Sequence, residues 1–300
     1  MDDFKDDTNK QVILICFGGE NMKFNLAGVV ILYNPDDKVF QNIETYIDEI
    51  DVLYVIDNSD ISNNKLVNLL KKIDKICYIP FCENKGIAYP LNFILNKVQN
   101  YEFLLTMDQD SCFKPNMMKK YKANIAIWAD KDTSIAVFAA DNTEIMHNTP
   151  YQLKECVMTS GNIIKTDVAQ LVGGFNESLF IDEVDYEFCY RLRRFDYKIL
   201  IFYDVTMEHH LGNLTRYNVG IWHFNATNHN VIRRYYMARN MLYIMNHYPE
   251  VRVKHFKNFI KMIIKIILAE NCKLEKIKYI IKGINAYRHD KFGKCDFKEF

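Results

Sequence analysis

The chain has 300 residues, 49% apolar and 25% charged, which suits one large α/β domain or two small ones. Its 38 basic residues balance 38 acidic ones, so no overall positive field argues for nucleic acid as a partner. Eight cysteines are scattered without a CxxC pair or zinc spacing, which fits reduced thiols in a cytoplasm. Met1 to Asp7 is acidic, and the apolar run Val12 to Phe17 is too short to span a bilayer. Residues 1–23 therefore read as an appendage, and Met22 is an alternative translation start.

From residue 24 the pattern alternates strand and helix. Leu26 to Tyr33 is a near-continuous apolar run, as expected of a strand buried on both faces. Asn34-Pro35-Asp36 ends it, and Val39 to Ile50 is predicted as a helix. Val52 to Ile56 is a second strand, closed by Asp57-Asn58-Ser59-Asp60. Leu66 to Ile73 is helical and Ile76 to Pro80 is a third strand. Asn84-Lys85-Gly86 is a turn before a helix over Ile87 to Val98. Phe103 to Met107 is a fourth strand, running into Asp108-Gln109-Asp110-Ser111. Such alternation implies a parallel sheet, whose ligands sit outside the carboxyl ends of the strands. The polar clusters at Asp57, Asn84 and Asp108 all fall at those ends. Asp108 and Asp110 are spaced to aim two carboxylates at one point, and carboxylates that close need a cation between them. Hard oxygen ligands suit Mg²⁺ or Mn²⁺ carrying a substrate diphosphate. GxGxxG and GxxxxGK[ST] are absent, which removes the main support for dinucleotide and P-loop readings.

The ordered motifs YNP, VIDNSD, NKGIAYPLN and TMDQDS resemble the nucleotide-binding half of a GT-A glycosyltransferase of family 2. The second half continues the resemblance with TSGNII, GGFNESLF and IDEVDYEFCYR. The variant FID-VD-E-C-R, followed by His209-His210-Leu211-Gly212 and by Arg234 to Asn240, is similar to bacterial rhamnosyltransferases. The resemblance covers about residues 24–245. It implies a Rossmann-like mixed sheet flanked by helices and an inverting sugar transfer. The implied donor is dTDP-rhamnose or a UDP-sugar, and the implied acceptor is a saccharide or lipid-linked group in cell-surface polysaccharide synthesis. In the family the second carboxylate of the triplet touches the metal, while the first contacts ribose or metal.

On that basis Asp108, Asp110 and His209 are metal candidates, His209 having a strand-edge packing role as its alternative. Tyr33, Asn34, Asp57, Asn84, Gly86 and Asp108 are donor-binding candidates. Asp57 could accept from a pyrimidine N–H, and Gly86 permits close backbone approach to the nucleotide. Arg234 and Arg239 could grip diphosphate oxygens, or lie at the surface. The base falls in the crowded carboxylates 182–187, with Asp182 first and Glu183 second. Asp185 and Glu187 suit a helix N-terminus. A degenerate sugar-nucleotide binder or a sugar-phosphate nucleotidylyltransferase is the rival. The latter would want a Gly-rich basic loop after the first strand, which Asn34-Pro35-Asp36 is not.

Residues 246–300 read as a separate helical region. Phe256, Phe259, Ile260, Ile263, Ile264, Ile267 and Leu268 recur at helical spacing beside Lys257, Lys261 and Lys265. From Arg252 to Phe300 there are 13 Lys/Arg and 5 Asp/Glu, a net of 13 − 5 = +8. A basic amphipathic helix fits peripheral contact at the inner face of the cell membrane, or a homodimer, or packing on the catalytic domain.

Overall fold

The computed structural model describes residues 24–143, 145–209, 215–219, 222–226 and 228–297. The predicted appendage 1–23 and the motif residues His210, Leu211 and Gly212 lie outside them.

Four parallel strands open the fold: β1 (Leu26–Leu32), β2 (Val52–Asp57), β3 (Ile76–Pro80) and β4 (Phe103–Asp108). They line up as β3-β2-β1-β4. All seven residues of β1 are buried, as its unbroken apolar run requires. The intervening helices are α1 (Lys38–Glu44), α2 (Asn64–Leu70) and α3 (Ala88–Leu95). The predicted helix over Val39 to Ile50 is shorter. It stops where the Thr45 hydroxyl turns back to donate to the Asn42 carbonyl, and Ile47–Glu49 forms a separate 3-10 turn.

After β4 come β5 (Ser111–Phe113), α4 (Met117–Lys131), β6 (Ile135–Asp141), β7 (Tyr151–Lys154) and β8 (Asn162–Lys165). They are followed by α5 (Thr166–Leu171), α6 (Val184–Arg194) and β9 (Lys198–His209). These strands make the sheet mixed. β8 runs antiparallel to β4 and β6, β9 runs parallel to β6, and β5 and β7 both pair antiparallel with β9. The sheet order is β3-β2-β1-β4-β8-β6-β9-β5, with β7 joined to β9. Two short strands, β10 (Thr215–Val219) and β11 (Trp222–Ala226), form a hairpin of their own.

Alternation along the strands feeds two cores. Leu26, Val30 and Leu32 of β1 join Val39, Ile43, Leu66, Met118 and Tyr121 on one face. Ala27, Val29 and Ile31 join Leu91, Ile94, Val168, Phe188 and Leu192 on the other. The result is an α/β sandwich of three layers.

Three long helices complete the described chain: α7 (Val231–His247), α8 (Arg252–Ala269) and α9 (Lys273–Arg288). Ala238 and Met241 of α7 share a core with Phe259, Met262 and Ile266 of α8 and Ile280 of α9. The expected boundary at 245/246 therefore falls inside α7. Close α7–α9 packing rests on Gly283, where a Cβ would lie 2.4 Å from the Tyr235 carbonyl oxygen. No described helix is long and apolar enough to cross a membrane.

Candidate active site

The carboxyl ends of β1, β2, β3 and β4 lie side by side, and the functional candidates gather there. β4 ends at Asp108, and β5 begins three residues on with Ser111 directly opposite His209 of β9. That register brings the His209 Nδ1 to 3.6 Å from the Asp110 Oδ1. Asp108, Asp110 and His209 each offer one ligand atom, and these atoms lie within 4.8 Å of one another. Two carboxylates and an imidazole on a rigid strand end fit a divalent cation that keeps positions open for phosphate oxygens. The support behind them is also in place. Ser160 Oγ accepts from the Asp108 N–H at 3.0 Å and donates to Ser111 Oγ at 2.8 Å. Ser111 Oγ in turn stands 2.6 Å from His209 Nδ1, which fixes the ring. Burial pushes the Asp108 carboxyl up to about 6; Asp110 repels it further, while His209 and Arg233 oppose the rise. A charge deficit of that kind is what a cation would relieve.

The donor-side candidates sit on loops braced against each other. Tyr33 is exposed, and its backbone is clamped by Gln109, which accepts from its N–H at 2.8 Å and donates to its carbonyl at 3.2 Å. Asn34 has φ +47 and donates its N–H to Ser59 Oγ. Asp57 is buried and already accepts from the Tyr78 hydroxyl at 2.6 Å and the Ser59 N–H at 2.9 Å. A pyrimidine N–H would be a third donor to it. Asn84 Oδ1 accepts from the Gly86 N–H at 2.9 Å. Gly86 has φ +78, and a Cβ there would lie 2.3 Å from the Phe180 carbonyl oxygen. The close approach that demands glycine is thus made by the chain's own Phe180, whose carbonyl accepts from the Ile87 N–H at 2.7 Å.

Across the cleft, Phe180 leads to the acidic segment before α6. Asp182 takes a forked ion pair from Arg233 of α7, with Nε at 3.0 Å and Nη2 at 3.0 Å from its Oδ1. Burial raises Asp182, and Arg233 works against the rise. Glu183 does not face the cleft beside it. Its Oε2 is buried 3.4 Å from His255 Nδ1 on α8, and neither atom has a hydrogen-bond partner among the described residues. Burial raises the Glu183 carboxyl well above its usual range and lowers His255 to about 4. His255 Nε2 meets the Tyr190 hydroxyl at 2.9 Å. Asp185 lacks a cation partner in its hydrogen bonds; burial lifts it to about 6, helped by Asp182 and Asp108. Glu187 leaves the site and pairs with Arg191 at 2.8 Å.

The two predicted diphosphate arginines are placed elsewhere. Arg234 is buried against Glu270, which also accepts from Lys276 at 2.9 Å. Arg239 is fully buried, donating to the carbonyls of Leu179 at 2.9 Å and Gly293 at 2.8 Å. Neither fork is free for a ligand. The cation that faces Asp108 and Asp182 is Arg233, half-exposed and one residue earlier. Nothing in the run Arg233-Arg234 distinguishes the two by sequence; a helical step of about 100° sends them in different directions.

Comparisons with known proteins bear on this arrangement. The profile described as "Glycosyl transferase family 2" matches residues 29–181, just over half of the chain. The chain is 28% identical over 288 residues to the dTDP-rhamnosyl transferase RfbF of Shigella flexneri, covering 88% of this chain and 95% of that one. Among solved structures, S. aureus TarS 1-349 superposes with a TM-score of 0.53 at 13% identity, covering 88% of this chain and 83% of that one. GalNAc-T7, crystallised with UDP, GalNAc and Mn²⁺, gives a TM-score of 0.53 at 13% identity over 63% of this chain, which spans only 44% of that protein. These likenesses show the same GT-A fold, which here ends in the helical C-terminal region. The matched segment runs from β1 through the ends of β2, β3 and β4 to the turn at Ile181, and on that ground the chain belongs to glycosyl transferase family 2.

Proposed function

We propose that the protein is an inverting hexosyltransferase that moves L-rhamnose from dTDP-rhamnose, in preference to a UDP-sugar, onto a saccharide or lipid-linked hydroxyl. The observation that carries this reading is the convergence of Asp108, Asp110 and His209 with the Arg233–Asp182 pair. The similarity to a dTDP-rhamnosyl transferase over nearly its whole length supports the sugar. The acceptor oxygen attacks the anomeric carbon as the carbon–oxygen bond to the diphosphate breaks. The bond's electron pair leaves with the nucleoside diphosphate, and the acceptor proton passes to Asp182. Asp108, Asp110 and His209 would hold Mg²⁺ or Mn²⁺, which supplies positive charge to the departing diphosphate. Arg233 opposes the rise that burial imposes on Asp182 and is poised to reach a diphosphate beside Asp108. Tyr33, Asn34, Asp57, Asn84 and Gly86 shape the nucleoside side.

A second reading of the base is favoured by one observation. Asp185 has no ion pair among the described residues and has a carboxyl lifted to about 6 by burial, the range useful to a base near neutrality. One experiment tests both. The purified full chain is assayed with a nucleotide-sugar panel for nucleoside diphosphate release. Asp182→Asn should cut kcat by at least about a hundredfold with donor binding kept. If Asp185→Asn is the inactive variant, the base is Asp185. If both stay active, or no donor turns over, the reading fails.

The C-terminal helices carry a further part of this proposal. Val253, Phe256, Ile260, Ile264 and Ile267 of α8 form a stripe left 40–65% exposed. The segment 252–300 has a net charge of 13 − 5 = +8 in a chain of net zero, leaving −8 on the rest. A second copy meeting it segment to segment would set like charge on like, whereas an anionic lipid surface complements it. The stripe therefore faces the membrane that would hold a lipid-linked acceptor.

A further inference from the structure

The segment from Ser178 to Glu183 is an unusual piece of backbone. Phe180, Asp182 and Glu183 all have φ near +63, a left-handed conformation that side-chain-bearing residues rarely adopt. Three such residues within four positions persist only where the surroundings over-determine them. Here they are over-determined. Every carbonyl from 178 to 182 accepts a hydrogen bond from outside this turn. Ser178 accepts from the Gly293 N–H at 2.6 Å and Phe180 from the Ile87 N–H at 2.7 Å. Leu179, Ile181 and Asp182 share the two N–H groups of one side-chain amide, Asn240 Nδ2 of α7, at 2.8, 2.7 and 2.9 Å.

Asn240 is fully buried and is itself held in orientation. Its Oδ1 accepts from Arg239 Nε at 2.9 Å, which leaves the amide nitrogen aimed at the turn. Arg239 adds its own Nη2 to the Leu179 carbonyl at 2.9 Å and to the Ser178 carbonyl at 3.3 Å. At the far end of the turn Glu183 packs against α8, its Oε2 3.4 Å from His255 Nδ1. Arg233, two turns earlier on α7, holds the Asp182 side chain. One helix thus grips both the backbone and the carboxylate of the same residue.

We infer that Asn240, oriented by Arg239, is a positioning residue that fixes the left-handed backbone at Asp182 and so aims its carboxylate into the cleft. This rests on the proposed role of Asp182 as base. A misaimed base loses rate in the chemical step; among the described residues the side-chain hydrogen bonds of Asn240 go to Arg239 and to the turn, not to the loops at β1 to β4. The Phe180 carbonyl links the turn to the Gly86 loop, so some donor effect is expected, but a small one.

The test is a double-mutant cycle on the full chain, read as kcat, donor KM and dTDP affinity. Asn240→Ala should lower kcat about 10- to 100-fold, the scale of a displacement near 1 Å at a reacting group. Donor KM and dTDP affinity should stay within about threefold. In an Asp182→Asn background the same substitution should lower kcat no further, because the group it positions is gone. An additive loss in that background, or a loss confined to KM, would overturn the inference. Should Asn240→Ala not fold, Arg239→Lys runs the same cycle, since it removes the Nε donor that orients Asn240 and keeps the charge. If Asp185→Asn proves to be the inactive variant, the base assignment fails by itself. Non-additivity with Asp185 would then preserve a positioning role for the turn at the start of α6, and additivity with both carboxylates would end it.

Discussion

Glu270→Gln separates a structural Arg234 from a diphosphate-binding one. Glu270 is the anion of a buried triad joining α7, the end of α8 and the start of α9. Its side chain is 1% exposed, and those of Arg234 and Lys276 are 4% and 5% exposed. Burial opposes ionisation of Glu270, but hydrogen bonds from Lys276 and Arg234 outweigh it and hold the carboxyl below its usual range. The glutamine keeps the shape and removes the charge. Two cations are then left in a dry site with no counter-charge. Removing one partner of a buried ion pair costs about 3–5 kcal/mol, a large share of the roughly 5–15 kcal/mol that holds a domain folded. A drop in Tm on the order of 10 °C follows for a chain of this size.

The measurement is urea and thermal unfolding of both proteins, with donor KM alongside. Because the folded pKa of Glu270 is depressed, its contribution is fully present above its unfolded pKa and is lost as pH falls through the folded value. The gap between the two proteins should therefore be full at neutral pH and close in acid. Donor KM should move less than about twofold, since Arg234 and Lys276 are committed to Glu270. A variant that unfolds within about 1 kcal/mol of the parent, or one whose donor KM rises tenfold at unchanged stability, would refute the placement of Arg234.

Asp110→Asn should keep the fold and abolish metal-dependent turnover; unchanged activity with Mg²⁺ or Mn²⁺, or full wild-type activity in chelator, would remove Asp110 from the metal site. On anionic vesicles the full chain should float at low salt and sink at high salt, each basic residue near the surface contributing about 1 kcal/mol, and Phe256→Glu with Ile264→Glu should end flotation. A salt-insensitive dimer that ignores vesicles would instead assign the α8 stripe to a second copy.

Much of the nucleotide half is visible in one dimension because its information is local. A strand buried on both faces announces itself as an unbroken apolar run, and Leu26–Leu32 is one. Polar residues at the ends of such runs mark the carboxyl edge of the sheet, and Asp57 and Asp108 close β2 and β4 there. The same local reading fails where two signals share one stretch. Val39 to Ile50 keeps helical spacing throughout, yet a single Thr45 hydroxyl bond to Asn42 and a 3-10 turn break it. It also fails where register over a long separation decides the outcome. His209 meets Asp110 only because β5 and β9 pair across nearly a hundred residues with Ser111 opposite His209.

The C-terminal helices show the same limit at the site itself. Amphipathic spacing and a charge of +8 mark residues 252–300 as a surface region set apart from the catalytic half. The buried side of those helices says otherwise. His255 of α8 reaches Glu183, Gly293 donates to Ser178, and Arg239 and Asn240 of α7 close on the carbonyls of 178–182. These contacts join residues about 60 to 115 apart, and no periodicity encodes them. Their visible trace in the sequence is the Arg239-Asn240 pair, which with Arg234 interrupts the largely apolar buried side of α7. A buried cation beside a buried amide costs too much to hold without a full set of acceptors. The acceptors are the carbonyls of a turn that no ordinary helix or strand would have left free. The strained backbone at Phe180, Asp182 and Glu183 and the buried polarity of α7 are thus two halves of one arrangement, in which the amide and guanidinium of the helix meet the carbonyls of the turn.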